Sequence, residues 1–266
     1  MPEKLPFVVR KYEVRSEKIS APVKFVFLTD FHDKEFDAGN ARLIREIHAI
    51  SPDAVLVGGD MVISMHAKEE SDDWLRRSRH LLEGLRKDGP VFAALGNHEA
   101  ALADEKRGIP ACFEAYCGML DDAGVTRLEN SSADFRGIRI HGLAPDRIYY
   151  KKLRYRRLDK TVITTLLGDA PEDVFSLLLA HHPRFFAAYA AWGADLTLAG
   201  HLHGGMLRIG NRGVISPDPM IFPRYSGGEY HIGNRTMIVS CGLGMPTIPV
   251  RICNPPELSV IALLPG

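Results

Sequence analysis

An excess of charge of either sign is missing from this chain. Among its 266 residues, lysine plus arginine and aspartate plus glutamate stand equal at 33 each. No global field therefore steers the protein towards nucleic acid or a membrane. Cysteine is scarce too. Cys112, Cys117, Cys241 and Cys253 form no closely spaced pair, which excludes a zinc–thiolate site and a disulfide framework and predicts buried free thiols. No apolar run approaches the ~18 residues that a helix needs to cross a membrane. The opening MPEKLPFVVRKYEVRSEKIS is too charged for a signal peptide. The chain as written is thus expected to be soluble and cytoplasmic, with a membrane-associated or cell-envelope location as the alternative if an N-terminal anchor precedes it. Repeats, low-complexity tracts and linkers are absent as well, so residues 1–266 are expected to form a single domain.

What the chain does hold is an ordinary globular composition, 45% hydrophobic and 25% charged, with enough length to bury a substantial core. Short apolar runs alternate with amphipathic stretches. VKFVFLTD, DAVLVGGD and PVFAALGNHE read as buried strands. Between and after them, Leu43, Ile44, Ile47 and Ile50, then Leu75, Leu81, Leu82 and Leu85, fall at helical spacing, and IPACFEAYCGMLDDAG makes a third helix closed by Gly124. This β-α-β-α-β-α series implies parallel strands with helices on their faces. From residue 125 onwards most segments are strand-like, with one helix around RFFAAYAAW. Two packed sheets with outer helices accommodate both halves.

Polar residues collect at the ends of these strands. LTDFH brings Asp30 and His32, GGD brings Asp60, and LGNHE brings Asn97 and His98. In open α/β sheets ligands bind at the carboxyl ends of parallel strands, where loops are free to converge. The second half adds His181 after FSLLLA, then His201 and His203 in GHLHGG. On a strand, residues spaced by two point the same way, so this last pair is expected to face one target. The donors are oxygen and nitrogen with no thiolate, a set that suits manganese, iron, zinc or nickel. They are too many for one tetrahedral ion. Two ions about 3.5–4 Å apart, bridged by a carboxylate, use seven such ligands and clamp an in-line displacement at phosphorus.

Taken in order, Asp30-Phe31-His32, Gly59-Asp60, Gly96-Asn97-His98-Glu99, His181 and Gly200-His201-Leu202-His203 resemble the motifs of the calcineurin-like metallophosphoesterases. The tail GGEYHIGNRTMIVSCGLG, followed by IPVRICNPPELSVIAL, resembles a bacterial branch of membrane-associated or exported phosphohydrolases. The resemblance implies a four-layer αββα sandwich with two mixed sheets and helices on both outer faces. It implies that Asp30, His32 and His203 hold one divalent or trivalent ion, that Asn97, His181 and His201 hold a second, and that Asp60 bridges them. His98 would assist departure of the leaving oxygen while a metal-activated hydroxide cleaves a phosphate ester or anhydride. His182, beside His181, matches the pattern less well. Some members carry an acid shortly after the bridging aspartate to orient the non-ligand histidine. This chain has Ile63 and Ser64 in that vicinity, so His98 is expected to lean on a backbone carbonyl or another acid. The implied partner is a phosphorylated small molecule or a lipid-linked substrate. A pyrophosphatase of a nucleotide-linked lipid precursor is the alternative activity, and a non-catalytic scaffold of the same fold the alternative class. No nucleic-acid partner is expected, because no basic stripe tracks a phosphate backbone.

The most unusual composition lies in IYYKKLRYRRLDK, where six basic residues interleave with Tyr149, Tyr150 and Tyr155. Such a run is a solvated face, or a cap that grips a polyanionic or lipid-borne substrate and makes peripheral membrane contact through residues 149–160. If it is a cap, neutralising Arg154, Arg156 and Arg157 together raises KM for the physiological substrate and leaves a small chromogenic ester unaffected. Equal effects on both would remove the cap.

Overall fold

Alternation along each strand decides how the layers stack. The computed structural model describes residues 6–266 except 69, 105, 107, 152–155, 211, 217–220 and 247. Its first half runs β1 (Val8–Ser16), β2 (Val23–Leu28), α1 (Ala41–Ile50), β3 (Ala54–Val57), α2 (Arg76–Leu85), β4 (Val91–Ala94), α3 (Asn97–Leu102), α4 (Pro110–Asp122) and β5 (Thr126–Leu128). The second half runs β6 (Ser131–Phe135), β7 (Ile138–Leu143), α5 (Lys160–Leu167), β8 (Phe175–Ala180), α6 (Phe186–Trp192), β9 (Leu196–Ala199), β10 (Leu207–Ile209), β11 (Arg212–Ile215), β12 (Gly228–Ile232), β13 (Arg235–Val239) and β14 (Glu257–Pro265).

Two six-stranded mixed sheets result. One has the order β1-β14-β2-β3-β4-β5, the other β12-β13-β9-β8-β7-β6, and β10 with β11 forms a separate hairpin. Strands β2 to β4 run parallel, as the β-α alternation predicts, and β5 continues them in parallel beside β4, while β14 returns antiparallel beside β2. In the other sheet β7, β8, β9 and β13 are parallel.

In β2, Phe25 and Phe27 face the second sheet, where they meet Ile140, Leu177, Leu179 and Leu198. Val26 and Leu28 face the other way, onto Leu43 and Ile47 of α1 and Leu81 and Leu85 of α2. Leu178 of β8 turns outward to Ile163 of α5 and Tyr189 and Trp192 of α6. Helix, sheet, sheet, helix is the four-layer sandwich expected from the resemblance. Its apolar burial is the main stabilising contribution.

Some elements depart from expectation. Strand β1 lies in the charged opening stretch and pairs with β14 along its whole length. Helix α5 starts at Asp159, whose carboxylate accepts from the N–H groups of Thr161 and Val162, and its β-branched sequence gave no helical signal. Cys112 and Cys241 are buried free thiols, but Cys253 is exposed. Among the described residues no helix is long and apolar enough to cross a membrane.

Glycine lets two carboxylates sit close against neighbouring strand ends here. A Cβ on Gly200 would stand 2.2 Å from Asp30 Oδ2, and one on Gly96 would stand 2.3 Å from Asp60 Oδ1. Gly200→Ala is therefore expected to cost about 1–3 kcal/mol through overpacking against a buried carboxylate. The urea midpoint measures it, and an unchanged midpoint would mean that Asp30 is not packed against this turn.

Candidate metal centre

Five strands that end in this region deliver polar side chains, singly or in pairs. Asp30 and His32 follow β2, Asp60 follows β3, and Asn97 opens α3 just after β4. From the other sheet His181 follows β8, and His201 and His203 follow β9. The two histidines of GHLHGG are not on a strand. They sit in a turn with φ of 69° and 50°. Asp30, His32 and Asp60 share this left-handed backbone, at 51°, 50° and 53°. For residues with a Cβ such a conformation costs of order 1–3 kcal/mol each, so surrounding bonds must enforce it. They are backbone bonds between strand ends: Asp30 N–H donates to Gly59 O at 3.0 Å, His32 N–H to Asp60 O at 3.1 Å, and Gly200 N–H to His181 O at 3.0 Å.

The side chains converge in three overlapping groups, each able to hold an ion: Asp30, His32 and His203; His32, Asp60 and His98; and Asp60, His181 and His201. His181 Nδ1 lies 2.8 Å from Gly58 O and His32 Nδ1 lies 2.9 Å from Met245 O. A carbonyl only accepts, so both rings donate from Nδ1 and, when neutral, aim a bare Nε2 inward. Those Nε2 atoms lie 3.1 Å and 3.4 Å from Asp60 Oδ2. Asn97 Oδ1 stands 2.6 Å from His201 Nδ1, 3.2 Å from His181 Nε2 and 3.1 Å from Asp60 Oδ2. Turning that amide over would bring its N–H groups to these acceptors. With oxygen inward, lone pairs crowd one point, an arrangement that a cation stabilises. The carbonyl-anchored imidazoles are also the usual outer support of metal-ligating histidine.

The electrostatics say the same. Burial opposes charge on Asp60, yet His181, His98 and His32 hold its carboxyl well below the usual range. Burial likewise disfavours a charged His181, but Asp60 and Asp30 push its pKa up to about 10. The cage demands positive charge, and protons supply it where no cation does. Asn97, four imidazoles and two carboxylates thus suit hard-to-borderline cations.

His98 and His182 lie beside this cluster. The Ser64 N–H donates to His98 Nδ1 at 3.1 Å, and the Ser64 hydroxyl lies 3.0 Å from the same atom. Neither a backbone carbonyl nor an acid is recorded at His98 Nδ1, contrary to expectation. A nitrogen that accepts an N–H carries no proton, so the neutral ring is protonated at Nε2. Burial, with His32 and His181 nearby, lowers the pKa of His98, and Asp60 only partly offsets this. His182 stacks on Tyr150, with rings 6.3 Å apart and 10° between planes, while His181 is the one aimed at Asp60. Tyr150 packs edge-on to His181 and leans over His201. It belongs to the basic aromatic segment. So does Lys151, which with His98, Asn97, Ser64 and His203 borders a cleft of about 1210 Å³. Arg156 and Arg157 are exposed, and 152–155 lie outside the described residues.

The family model of the calcineurin-like phosphoesterases matches residues 23–205, from the start of β2 through the GHLHGG turn. The chain belongs to that family. An uncharacterized metallophosphoesterase of Helicobacter pylori is 27% identical over 264 residues, covering 97% of this chain and 64% of its own length. The chain thus spans somewhat under two thirds of that relative. Phosphodiesterase YaeI of Escherichia coli is 27% identical over 263 residues, covering 92% of this chain and 83% of its own. TT1561 of Thermus thermophilus, a solved structure, aligns at 12% identity and a TM-score of 0.47 over 82% of this chain and 88% of its own.

This calcineurin-like phosphoesterase also supports its cluster with residues that the motif reading left without a role. Glu99 is fully buried. Its Oε2 accepts from the N–H groups of Asp60 at 2.9 Å and Gly96 at 2.8 Å, and its Oε1 from Met61 at 2.9 Å. It fixes the left-handed turn at Asp60. Arg251 donates to the carbonyls of Cys241, Gly242 and Gly244, and Asn254 donates to His203 O at 2.6 Å. Glu99 stood in plain view inside GNHE. The two braces could not be read from sequence, because Asn254 reaches His203 across 51 residues and the Arg251 bonds depend on how the loop between Cys241 and Arg251 folds back. Glu99→Ala leaves three buried N–H groups unpaired and should cost about 3–5 kcal/mol. Thermal unfolding of the variant checks this, and a loss below ~1 kcal/mol would mean that the turn holds itself.

Proposed function

We propose that the chain is a metal-dependent phosphoric ester hydrolase in which Asp60 bridges two cations. Asp30, His32 and His203 would hold one ion, and Asn97, His181 and His201 the other. The observation that carries this is the convergence on Asp60 Oδ2 of the Nε2 atoms of His32 and His181, both bare when neutral because their Nδ1 atoms donate to backbone carbonyls. Manganese, iron, zinc and nickel all fit such a donor set. When bound, a pair of such ions supplies Lewis acidity and an activated water.

The remaining steps belong to the protein. His98, held as the Nε2–H form by Ser64, donates a hydrogen bond to a phosphoryl or leaving oxygen placed in the cleft. Tyr150 covers His181 and His201 and limits water on that side. Lys151 at the cleft wall offers a cation to an anionic substrate. A volume of about 1210 Å³ exceeds the ~300–1,000 Å³ of ordinary small-molecule sites, which favours an ester with two substantial arms. The name of the Escherichia coli relative, a phosphodiesterase, supports the same choice. Phosphodiesters are thus the first substrates to try, with lipid-linked pyrophosphates second.

Purified protein should take up two ions per chain by elemental analysis and hydrolyse a generic chromogenic phosphodiester with added manganese. Asp60→Ala should abolish uptake of at least one ion. His98→Asn should keep both and lose about 10²–10⁴-fold in kcat. Two bound ions without turnover of any phosphate ester or anhydride would instead favour a scaffold or a metal store.

A further inference from the structure

Seven of the eight large hydrophobic side chains exposed among the described residues gather on the flap beside the GHLHGG turn. The most open are Ile221 at 76%, Ile209 at 69% and Phe222 at 67%. Their clustering follows from strand pairing. Ile252 pairs with Leu207, Leu207 with Ile215, and Ile215 with Ile221. Residues directly opposite across a ladder point to the same face. Four aliphatic side chains from four chain segments therefore form one row, with Ile248 and Val250 just upstream of Ile252. A solvated sheet face is ordinarily polar, and exposed apolar patches of this kind mark interaction sites.

Among the described residues of the flap the charge is of one sign. The described residues of 206–216, 221–228 and 248–256 include Arg208, Arg212, Arg224 and Arg251 and no carboxylate. Arg212 and Arg224 are exposed. Glu229 and Glu257 share a pocket wall with Arg212, but they bond His231 and Arg10. A symmetric contact between two copies would lay this arginine-bearing face on itself, with no carboxylate among the described residues of these segments to meet the guanidinium groups, which disfavours a dimer. Apolar side chains flanked by the exposed Arg212 and Arg224 suit a bilayer with anionic headgroups, where the aliphatic row enters the acyl boundary and these two guanidinium groups meet lipid phosphates.

We propose that this flap is a docking surface for anionic membranes. It is separate from the basic segment at 149–160 and does not depend on the hydrolytic reading. Arg251 and Asn254 bind the flap to the loop carrying His203, so a membrane held there lies next to the cluster.

Co-sedimentation with vesicles of phosphatidylcholine, with and without phosphatidylglycerol, tests the proposal. The chain should pellet with the mixed vesicles, and binding should fall as sodium chloride rises. Arg212→Gln with Arg224→Gln should weaken partition roughly thirtyfold, and Ile221→Ser with Phe222→Ser should abolish it. Circular dichroism melts establish that the variants fold, and the salt titration of the parent chain needs no variant. Failure of the parent to bind mixed vesicles, or binding insensitive to salt, overturns the proposal. So does equal binding by both folded variants, or a dimer in sedimentation velocity that Ile221→Ser with Phe222→Ser dissolves.

Discussion

Two carboxylates, Asp30 and Asp60, are kept out of water at the meeting point of two sheets, and the surrounding structure answers to their charge. Neither has a lysine or arginine among its recorded ion-pair partners. Their recorded neighbours of that kind are imidazoles: His32, His181 and His203. Buried charge without compensation is costly. The compensation here comes partly from backbone N–H groups, with His201 N–H donating to Asp30 and His98 N–H to Asp60. The rest must be positive charge within the cage, and that demand links the fold to the proposed chemistry.

The scaffold around the cage is stiff for the same reason. Left-handed turns at five of the seven proposed ligands aim their side chains inward. Glycines at 96 and 200 let the carboxylates approach, and Glu99 gathers three N–H groups under Asp60. The sandwich core sets the strand positions, but these local bonds set the directions of the side chains.

Much of this was legible before any coordinates. Alternating apolar runs gave the parallel β2 to β4 series, and the spacing of D-x-H, G-D, G-N-H-E and G-H-x-H pointed to one strand edge. The geometry of GHLHGG was not legible. Histidine carries no preference strong enough to announce a left-handed turn, and the enforcing bonds run to Asp30, far away in sequence. Ser64 was visible as a departure from the family pattern, but its N–H bond to His98 depends on a turn that its neighbours do not encode. Strand β1 was hidden because an edge strand with one solvated face reads as a charged tail. The apolar flap escaped because its four segments are separated in sequence and only pairing brings them into a row.

The central claim is that the cage holds two cations sharing Asp60. Anomalous diffraction from crystals grown with manganese tests it most directly. Two peaks about 3.5–4 Å apart, both within bonding distance of the Asp60 carboxylate, are predicted. A single peak, or density away from Asp60, would contradict the account.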